Sequence, residues 1–261
     1  MFSILRTINR YNSCSIDIML KLFNTLTSPV ALYNSEVWGP LCFSSNPNNI
    51  KCFTENSNSS VSNIQLMFLR IILGVSKKSS KWAILSETGE LPLISRVSIN
   101  IIKYWFHLVS SSSPILHAAL QTNIALSNNG CKNWYATVKK LMTFFNIDHL
   151  LYTTDEVEIC YQQKKVKQIL RDKYKEYWEQ EVNSKREGKL SFYTQHVKEN
   201  CLQEYLKCPS LPQKLRKVIT RFRIGAHKLP VETGVDTTLI LQEQIGTALC
   251  VVMALVMKNI T

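Results

Sequence analysis

Apolar residues recur at intervals of three and four along nearly every segment of this chain that is long enough to form an element. That spacing places them on one face of an α-helix, whereas a half-buried strand needs alternation. The sequence has no convincing strand run, no internal repeat and no alternation of strand and helix patterns. The chain is therefore predicted to be mainly α, an irregular array of helices with one long Ser/Asn-rich loop and no substantial sheet.

The predicted helices end at recognisable breakers. Pro29 should kink or end the first helix, Gly74 caps the second, and a serine run ends an apolar helix over 93–109. The apolar face of the first helix is formed by Ile16, Met19, Leu20, Phe23, Leu26 and Val30. Further helices are predicted over 61–73, 82–86, 115–126, 132–146, 156–186, 191–206 and 211–223.

Composition divides the chain into five stretches. Residues 40–63 are rich in Ser, Asn and Pro and are predicted to form a flexible loop between helices in 1–39 and a helical domain over 64–150. Residues 151–234 form a basic helical region with 17 basic and 11 acidic residues, whereas 235–261 hold one basic and two acidic residues. The chain thus changes character after Gly234.

The charge balance favours a polyanionic partner. The 261 residues carry 31 Lys plus Arg against 19 Asp plus Glu, a net charge of +12 with His neutral. Phosphate neutralisation by Lys and Arg is the main sequence-independent source of affinity for nucleic acids. A solvated basic surface is the alternative, and it is also the default for residues 156–186, where Lys and Glu mix at helical spacing.

The cysteines and the apolar runs exclude several classes of protein. None of the eight cysteines forms a Cys-x2-Cys pair, so we predict free thiols in a reducing compartment, no metal site and no cofactor. No signal peptide is visible, and the most apolar run, 248–257, is half of the ~20 residues that a membrane span needs. We expect a soluble intracellular protein that binds no membrane, in either the nucleus or the cytoplasm.

Catalytic motifs are missing from the sequence. It contains no Asp-Asp pair, no phosphate-binding glycine loop, no Gly-x-Ser-x-Gly and no His-Glu-x-x-His. Glu87 and Glu90 are three residues apart, but they flank a Gly-Glu-Leu-Pro turn and are predicted to serve as a structural cap. We therefore predict no catalytic residue.

The candidate binding residues lie in two basic patches. On the predicted helix 211–223, Lys214, Lys217 and Arg221 form one stripe, and Arg216 and Arg223 a second. Val218 and Phe222 should face the core between the two stripes. This geometry suits tracking a phosphate backbone, and His227 and Lys228 would extend it. The alternative is a solvated helix face.

The second patch is smaller and is predicted to lie in a loop. It comprises Lys77, Lys78 and Lys81 beside Trp82. A tryptophan next to basic residues can stack on a nucleic-acid base, although a tryptophan more often packs in a core.

Three stretches of the sequence together resemble one family. The first is Leu22-Phe23 with Ser-Pro-Val-Ala-Leu-Tyr-Asn-Ser-Glu-Val-Trp-Gly over 28–39, and the second is Phe68 to Val75 with Leu85 to Leu93. The third is Leu215 to Gly234, including Arg-Phe-Arg-Ile-Gly-Ala-His-Lys-Leu and Glu-Thr-Gly. In this order they resemble the region downstream of the polymerase core in non-LTR retrotransposon reverse transcriptases.

The resemblance implies an evolutionary origin and a class of binding partner for this protein. Residues 1–39 would correspond to thumb-like helices and 64–150 to a helical linker. The family's metal-binding Asp pair and its endonuclease domain would both lie upstream of the first residue. The expected protein is thus a reverse transcriptase fragment, truncated at both ends and non-catalytic. It would contact RNA or DNA backbone without reading sequence. A host-used helical module that binds a protein partner through 93–109 or the tail is the alternative, and no such partner is identified.

The stretch after Gly234 departs from the family, which continues with Arg-Tyr and a Cys-x2-Cys. Codons for 235–261 can, in a shifted frame, encode a string that restores both features. We therefore predict an out-of-frame or disordered tail over 235–261. A genuine C-terminal helix, which the apolar run 248–257 permits, is the alternative.

Overall fold

The computed structural model describes residues 15–43, 60–152, 156–184, 190–197, 199–208 and 210–226. Within these ranges it is mainly helical, and the β pairing there is limited to one isolated antiparallel bridge between Thr88 and Leu202. The mainly-α prediction is therefore confirmed. The helices are α1 (Ile16–Leu22), α2 (Ser28–Ala31), α3 (Ser35–Trp38), α4 (Ser60–Leu73), α5 (Lys81–Thr88), α6 (Leu93–Val109), α7 (Pro114–Asn128), α8 (Trp134–Phe144), α9 (Glu156–Ser184), α10 (Ser191–His196), α11 (Glu204–Lys207) and α12 (Gln213–Arg223).

Two of the predicted stretches lie wholly or largely outside the described residues. The first part of the predicted loop 40–63 is a 3₁₀ helix, Gly39–Cys42, and α4 already begins at Ser60. Residues 44–59 of that loop and the predicted tail 235–261 are not described.

The chain forms two compact units, and each unit combines stretches that are distant in sequence. The terminal unit is formed by the described residues within 1–20, 67–88 and 185–261, and it contains α5 and α10 to α12. The middle unit comprises 21–66 and 89–184, with α2, α3 and α6 to α9.

Helix α6 is the centre of the middle unit. Its apolar residues occupy more than one face, and α3, α7, α8 and α9 all pack against it. A helix that is apolar on several sides is stable only when neighbours cover it all round. The core around α6 includes Ile101, Trp105, Phe106, Leu141, Leu170 and Tyr174, each at most 2% exposed.

Small residues let the segment 28–39 approach α6 closely. Ser28 and Ser35 are at most 1% exposed, and their hydroxyl oxygens accept hydrogen bonds from Arg96 at 2.9 Å and Asn100 at 2.7 Å. A Cβ on Gly39 would lie 2.5 Å from Cγ1 of Val97, closer than real Cβ atoms approach. All three small residues approach α6, although the left-handed residue Asn34, φ 51°, separates α2 from α3.

Several large apolar residues between 26 and 41 are exposed, whereas Leu32 and Trp38 pack against the core around α6. Leu26 is 51% exposed and Val30 is 78% exposed, so the sequence-based expectation that both belong to a buried face is wrong. The cause is a π-helical turn over Phe23–Thr27, which adds a residue per turn and shifts the phase of the helix. The residues left exposed are Leu26, Val30, Tyr33, Val37 and Leu41.

A polar cluster ties the start of α6 to the residues before α2. Arg96 donates to Oδ1 of Asn24 at 2.8 Å and to Oε2 of Glu90 at 3.4 Å, while Asn24 donates to Oε1 of Glu90 at 3.0 Å. Burial raises the pKa of Glu90, although Asn24 and Arg96 both act against that shift. Glu90 thus bridges two segments of the middle unit rather than capping a helix.

Replacing Gly39 with alanine tests the close approach. Its backbone is right-handed helical, φ −53°, so Gly39→Ala strains no dihedral. Alanine restricts the unfolded chain, which favours folding by about 0.4–1 kcal/mol, and the contact of the new methyl with Val97 has to outweigh that gain. We expect the variant to lose about 2 kcal/mol of unfolding free energy, measured by urea denaturation. Adding Val97→Ala should make room for the methyl, so the double variant should be more stable than the sum of the single losses predicts. Simple additivity would contradict the packing argument.

Candidate nucleic-acid interface

The sequence determines both ends of helix α12, with a proline before its first residue and a glycine after its last. Pro212, at φ −57° and ψ 143°, precedes its first residue, and the missing N–H of proline costs nothing there. At the other end Gly225 is left-handed, φ 62°, and the N–H of Ala226 donates to the carbonyl of Arg221 at 2.8 Å. This is a Schellman motif, and it ends the helix where the sequence predicts.

The structure reverses part of the predicted orientation of α12. Phe222 is 44% exposed, so the expectation that it faces the core is wrong. The buried face carries Ile219 and Thr220 together with Arg216, which is only 6% exposed. These positions are three and four residues apart and so lie on one side of the helix. Basic charge therefore does not by itself identify the solvent side of α12.

Arg216 and Arg223 are bound by protein groups rather than presented to solvent. Nη2 of Arg216 donates to the carbonyl of Cys208 at 2.7 Å. The Arg223 side chain is 20% exposed, and its Nε donates to Oε1 of Glu87 at 2.7 Å. Both arginines belong to the predicted binding patch, but their positions make them part of the packing of the terminal unit.

The carboxylate of Glu87 organises a buried network. Glu87 is fully buried, and the same Oε1 that pairs with Arg223 accepts a hydrogen bond from the Tyr205 hydroxyl at 2.6 Å. The backbone N–H of Gln203 donates to the Glu87 carbonyl at 3.2 Å, and the side-chain oxygen of Gln203 accepts from Arg223 at 3.1 Å. Residues from α5, α11, α12 and the segment before α11 are thereby joined through one acidic residue.

Two tyrosines, Tyr193 and Tyr205, flank this ion pair, and its charges change their pKa values. The guanidinium carbon of Arg223 lies 5.7 Å from the ring centroid of Tyr193 and 5.6 Å from that of Tyr205. Burial, and then the negative charge of Glu87, raise the pKa of both phenols well above the ordinary value. Burial by itself would lower the pKa of the Arg223 guanidinium. The negative charge of Glu87 and its hydrogen bond have the larger combined effect, so the pKa of the guanidinium is raised. Arg223 therefore stays charged, and both tyrosines stay neutral hydrogen-bond donors.

The outer side of α12 adjoins the loop that follows α4. Nε of Arg221 donates a hydrogen bond to the carbonyl of Gly74 at 2.6 Å. The aliphatic part of Lys217 packs against Gly74 so closely that a Cβ added to Gly74 would lie 2.6 Å from Cδ of Lys217. Gly74 is left-handed, φ 67°, and begins the loop that carries Lys77 and Lys78, both exposed. Gly74, which begins the loop of the smaller basic patch, thus contacts two residues of the larger patch, Lys217 and Arg221.

We call this region the Gly74 surface. It comprises the basic residues on the outer side of α12 and in the loop after α4, namely Lys77, Lys78, Lys214, Lys217 and Arg221. Arg221 is exposed but already holds the Gly74 carbonyl, so the four lysines carry the charge that remains for a ligand. No acidic residue occurs in the sequence between Glu55 and Glu87 or between Glu204 and Glu232, the two segments that build the surface.

The other predicted binding residues have different positions. Lys81 is half-buried at the start of α5. Trp82 is 2% exposed and packs edge-to-face on Tyr193 with ring centroids 5.6 Å apart, so it is a core residue and not a base-stacking platform. His227 and Lys228 lie outside the described residues.

The comparisons with known proteins identify no relative: no protein-family model, curated protein or solved structure matches this chain. Among the described residues, no three His, Cys, Asp or Glu side chains gather as they would around a metal ion. In the same ranges every helix is too short or too polar to cross a membrane.

The Glu87–Arg223 pair can be tested by a double-mutant cycle. Glu87→Gln strands a mostly buried guanidinium and Arg223→Met strands a fully buried carboxylate. We therefore expect each variant to lose about 3 kcal/mol of unfolding free energy. The double variant should show a coupling energy of about 2 kcal/mol in chemical denaturation. Losses that add within about 0.5 kcal/mol would mean that the two side chains do not depend on each other.

Proposed function

We propose that this chain is a non-catalytic segment of a non-LTR retrotransposon reverse transcriptase that holds RNA or DNA by its phosphate backbone. The observation that carries the binding part of the proposal is the Gly74 surface, where lysines from two acid-free segments come together. Lysines that neutralise phosphates give affinity that is independent of base sequence and falls steeply with salt.

The proposed origin depends on the three sequence stretches that resemble the family, in the family's order. The absence of an Asp-Asp pair from the 261 residues supports a role in binding rather than in polymerisation, because two-metal phosphoryl transfer needs paired carboxylates.

A protein-binding module is the second candidate function. The predicted partner surface on 93–109 does not support it, because α6 is buried in the core of the middle unit. The observation that favours it is the exposed apolar set Leu26, Val30, Tyr33, Val37 and Leu41. Five exposed large apolar side chains within 26–41 are the feature of this chain that would suit a protein partner.

A salt series separates the two candidates. The test variant is Lys77→Gln, Lys78→Gln, Lys214→Gln and Lys217→Gln, which avoids Arg216, Arg221 and Arg223 because these hold the fold. The matched control removes the same charge from the middle unit through Lys103→Gln, Lys132→Gln, Lys139→Gln and Lys140→Gln. Binding of labelled single-stranded RNA and duplex DNA is then measured as the salt concentration rises.

We expect the test variant to lower the slope of log affinity against log salt by about 3 on single-stranded RNA, since each phosphate contact contributes about 0.7. The control should leave the slope unchanged. An equal effect of both variants would mean that only net charge matters. No binding at low salt by a protein that circular dichroism shows to be helical would reject the nucleic-acid role and leave the protein-binding module.

A further inference from the structure

Helix α9 carries a row of exposed basic residues beside a stripe in which acidic and basic residues mix. Lys164, Lys167, Arg171 and Lys175 follow one another at intervals of three, four and four residues, so they form one ridge. Asp172, Glu176 and Glu179 have the same kind of spacing but begin one residue after Arg171, which turns their stripe by about 100° around the helix. Sequence patterning alone had suggested a mixed, solvated surface over 156–186.

The ridge runs beside the buried side of the helix. Ile159, Val166, Leu170 and Tyr174 are each at most 4% exposed and belong to the core of the middle unit. All four ridge residues are exposed, and their row borders this buried stripe. We call Lys164, Lys167, Arg171 and Lys175 the α9 ridge.

The basic residues on the acidic side of α9 already have partners within the protein. Lys173 pairs with Glu176 at 3.1 Å, and the ammonium of Lys165 lies 3.9 Å from the ring centroid of Tyr161. No hydrogen bond or ion pair joins a ridge residue to another residue in the described part of the chain. Like charges four residues apart repel on a helix, whereas acids interspersed among them would attract. Lys167, Arg171 and Lys175 lie four apart and repel one another, and Lys175 alone has acids at helical spacing, Asp172 three residues before it and Glu179 four after it.

We propose that the α9 ridge is a second contact for a nucleic-acid backbone. Four exposed cations spread over about 16 Å of helix match a linear row of phosphates better than they match a compact anion. The ridge contributes charge without base-reading groups, so it positions a strand and does not select a sequence. This inference deepens the proposed function, because it assigns a further segment of the chain to the same class of ligand.

The test uses the full chain and a ridge variant, Lys164→Gln, Lys167→Gln, Arg171→Gln and Lys175→Gln. Its matched control is the quadruple variant at Lys103, Lys132, Lys139 and Lys140, which removes equal charge from the same unit. The probes are a labelled single-stranded RNA, a labelled DNA duplex and vesicles rich in an anionic phospholipid. Circular dichroism verifies that the helical content of each variant is that of the wild type.

The ridge variant should lower the salt slope by about 3 on single-stranded RNA and by about 3.5 on duplex DNA, while the control leaves both slopes unchanged. A loss of vesicle binding with unaltered RNA and DNA slopes would overturn the proposal and assign the ridge to a lipid surface. Equal effects of the ridge variant and the control would overturn it as well.

A footprint on the unaltered protein keeps the proposal testable if the ridge variant misfolds. Bound RNA should slow acetylation of Lys164, Lys167 and Lys175 severalfold, as measured by mass spectrometry, and leave Lys103 and Lys132 unchanged. Uniform reactivity with and without RNA, from a protein that does bind RNA, would overturn the proposal.

Failure of the ridge is distinguishable from failure of the Gly74 surface. If the variant at Lys77, Lys78, Lys214 and Lys217 flattens the salt slope and the ridge variant does not, the ridge alone is rejected. The reverse result rejects the Gly74 surface and leaves the ridge standing. Absence of binding by the wild-type protein rejects both.

Discussion

The buried carboxylate of Glu87 is the constraint on which the terminal unit depends. A charge with no access to water is tolerated only where a counter-charge and hydrogen-bond donors replace its hydration. Arg223 and Tyr205 supply them from α12 and α11, helices more than a hundred residues away in sequence. The position of α12, and with it the position of the Gly74 surface, follows from satisfying one acidic side chain.

The same constraint divides the basic residues of the terminal unit into two kinds. Arg223 neutralises Glu87 and Arg216 holds a backbone carbonyl, so their charge serves the fold. Lys214 and Lys217 have no such interior ligand and stay on the outer side of the helix. Arginine suits the first task because its planar guanidinium donates in fixed directions, whereas lysine on a flexible stem suits contact with a mobile phosphate chain.

Sequence patterning could predict most of the helices, because their three- and four-residue spacing and breakers such as Gly74 are local signals. The single helix expected over 191–206 is wrong, since the structure has two helices there, Ser191–His196 and Glu204–Lys207. Patterning could not predict the π-helical turn at Phe23–Thr27, which reversed the faces of Leu26 and Val30, or the burial of Arg216. Both depend on what packs against the segment, as does the assembly of each unit from separated stretches. One signal for the Glu87 network was present: a single carboxylate in the otherwise uncharged run from Trp82 to Thr88, where an apolar face would be expected to be buried.

The residues that carry the family resemblance have packing roles in this structure. Ser28, Ser35 and Gly39 permit the approach to α6, Gly74 ends α4 beneath Lys217, and Glu87 anchors α12. None of these roles needs a substrate, a metal or an intact polymerase. Selection for the fold alone is therefore enough to retain such motifs. Surface charge is under no comparable packing constraint, which is why the lysines around Gly74 and along α9, rather than the motifs, are where a binding function has to be sought.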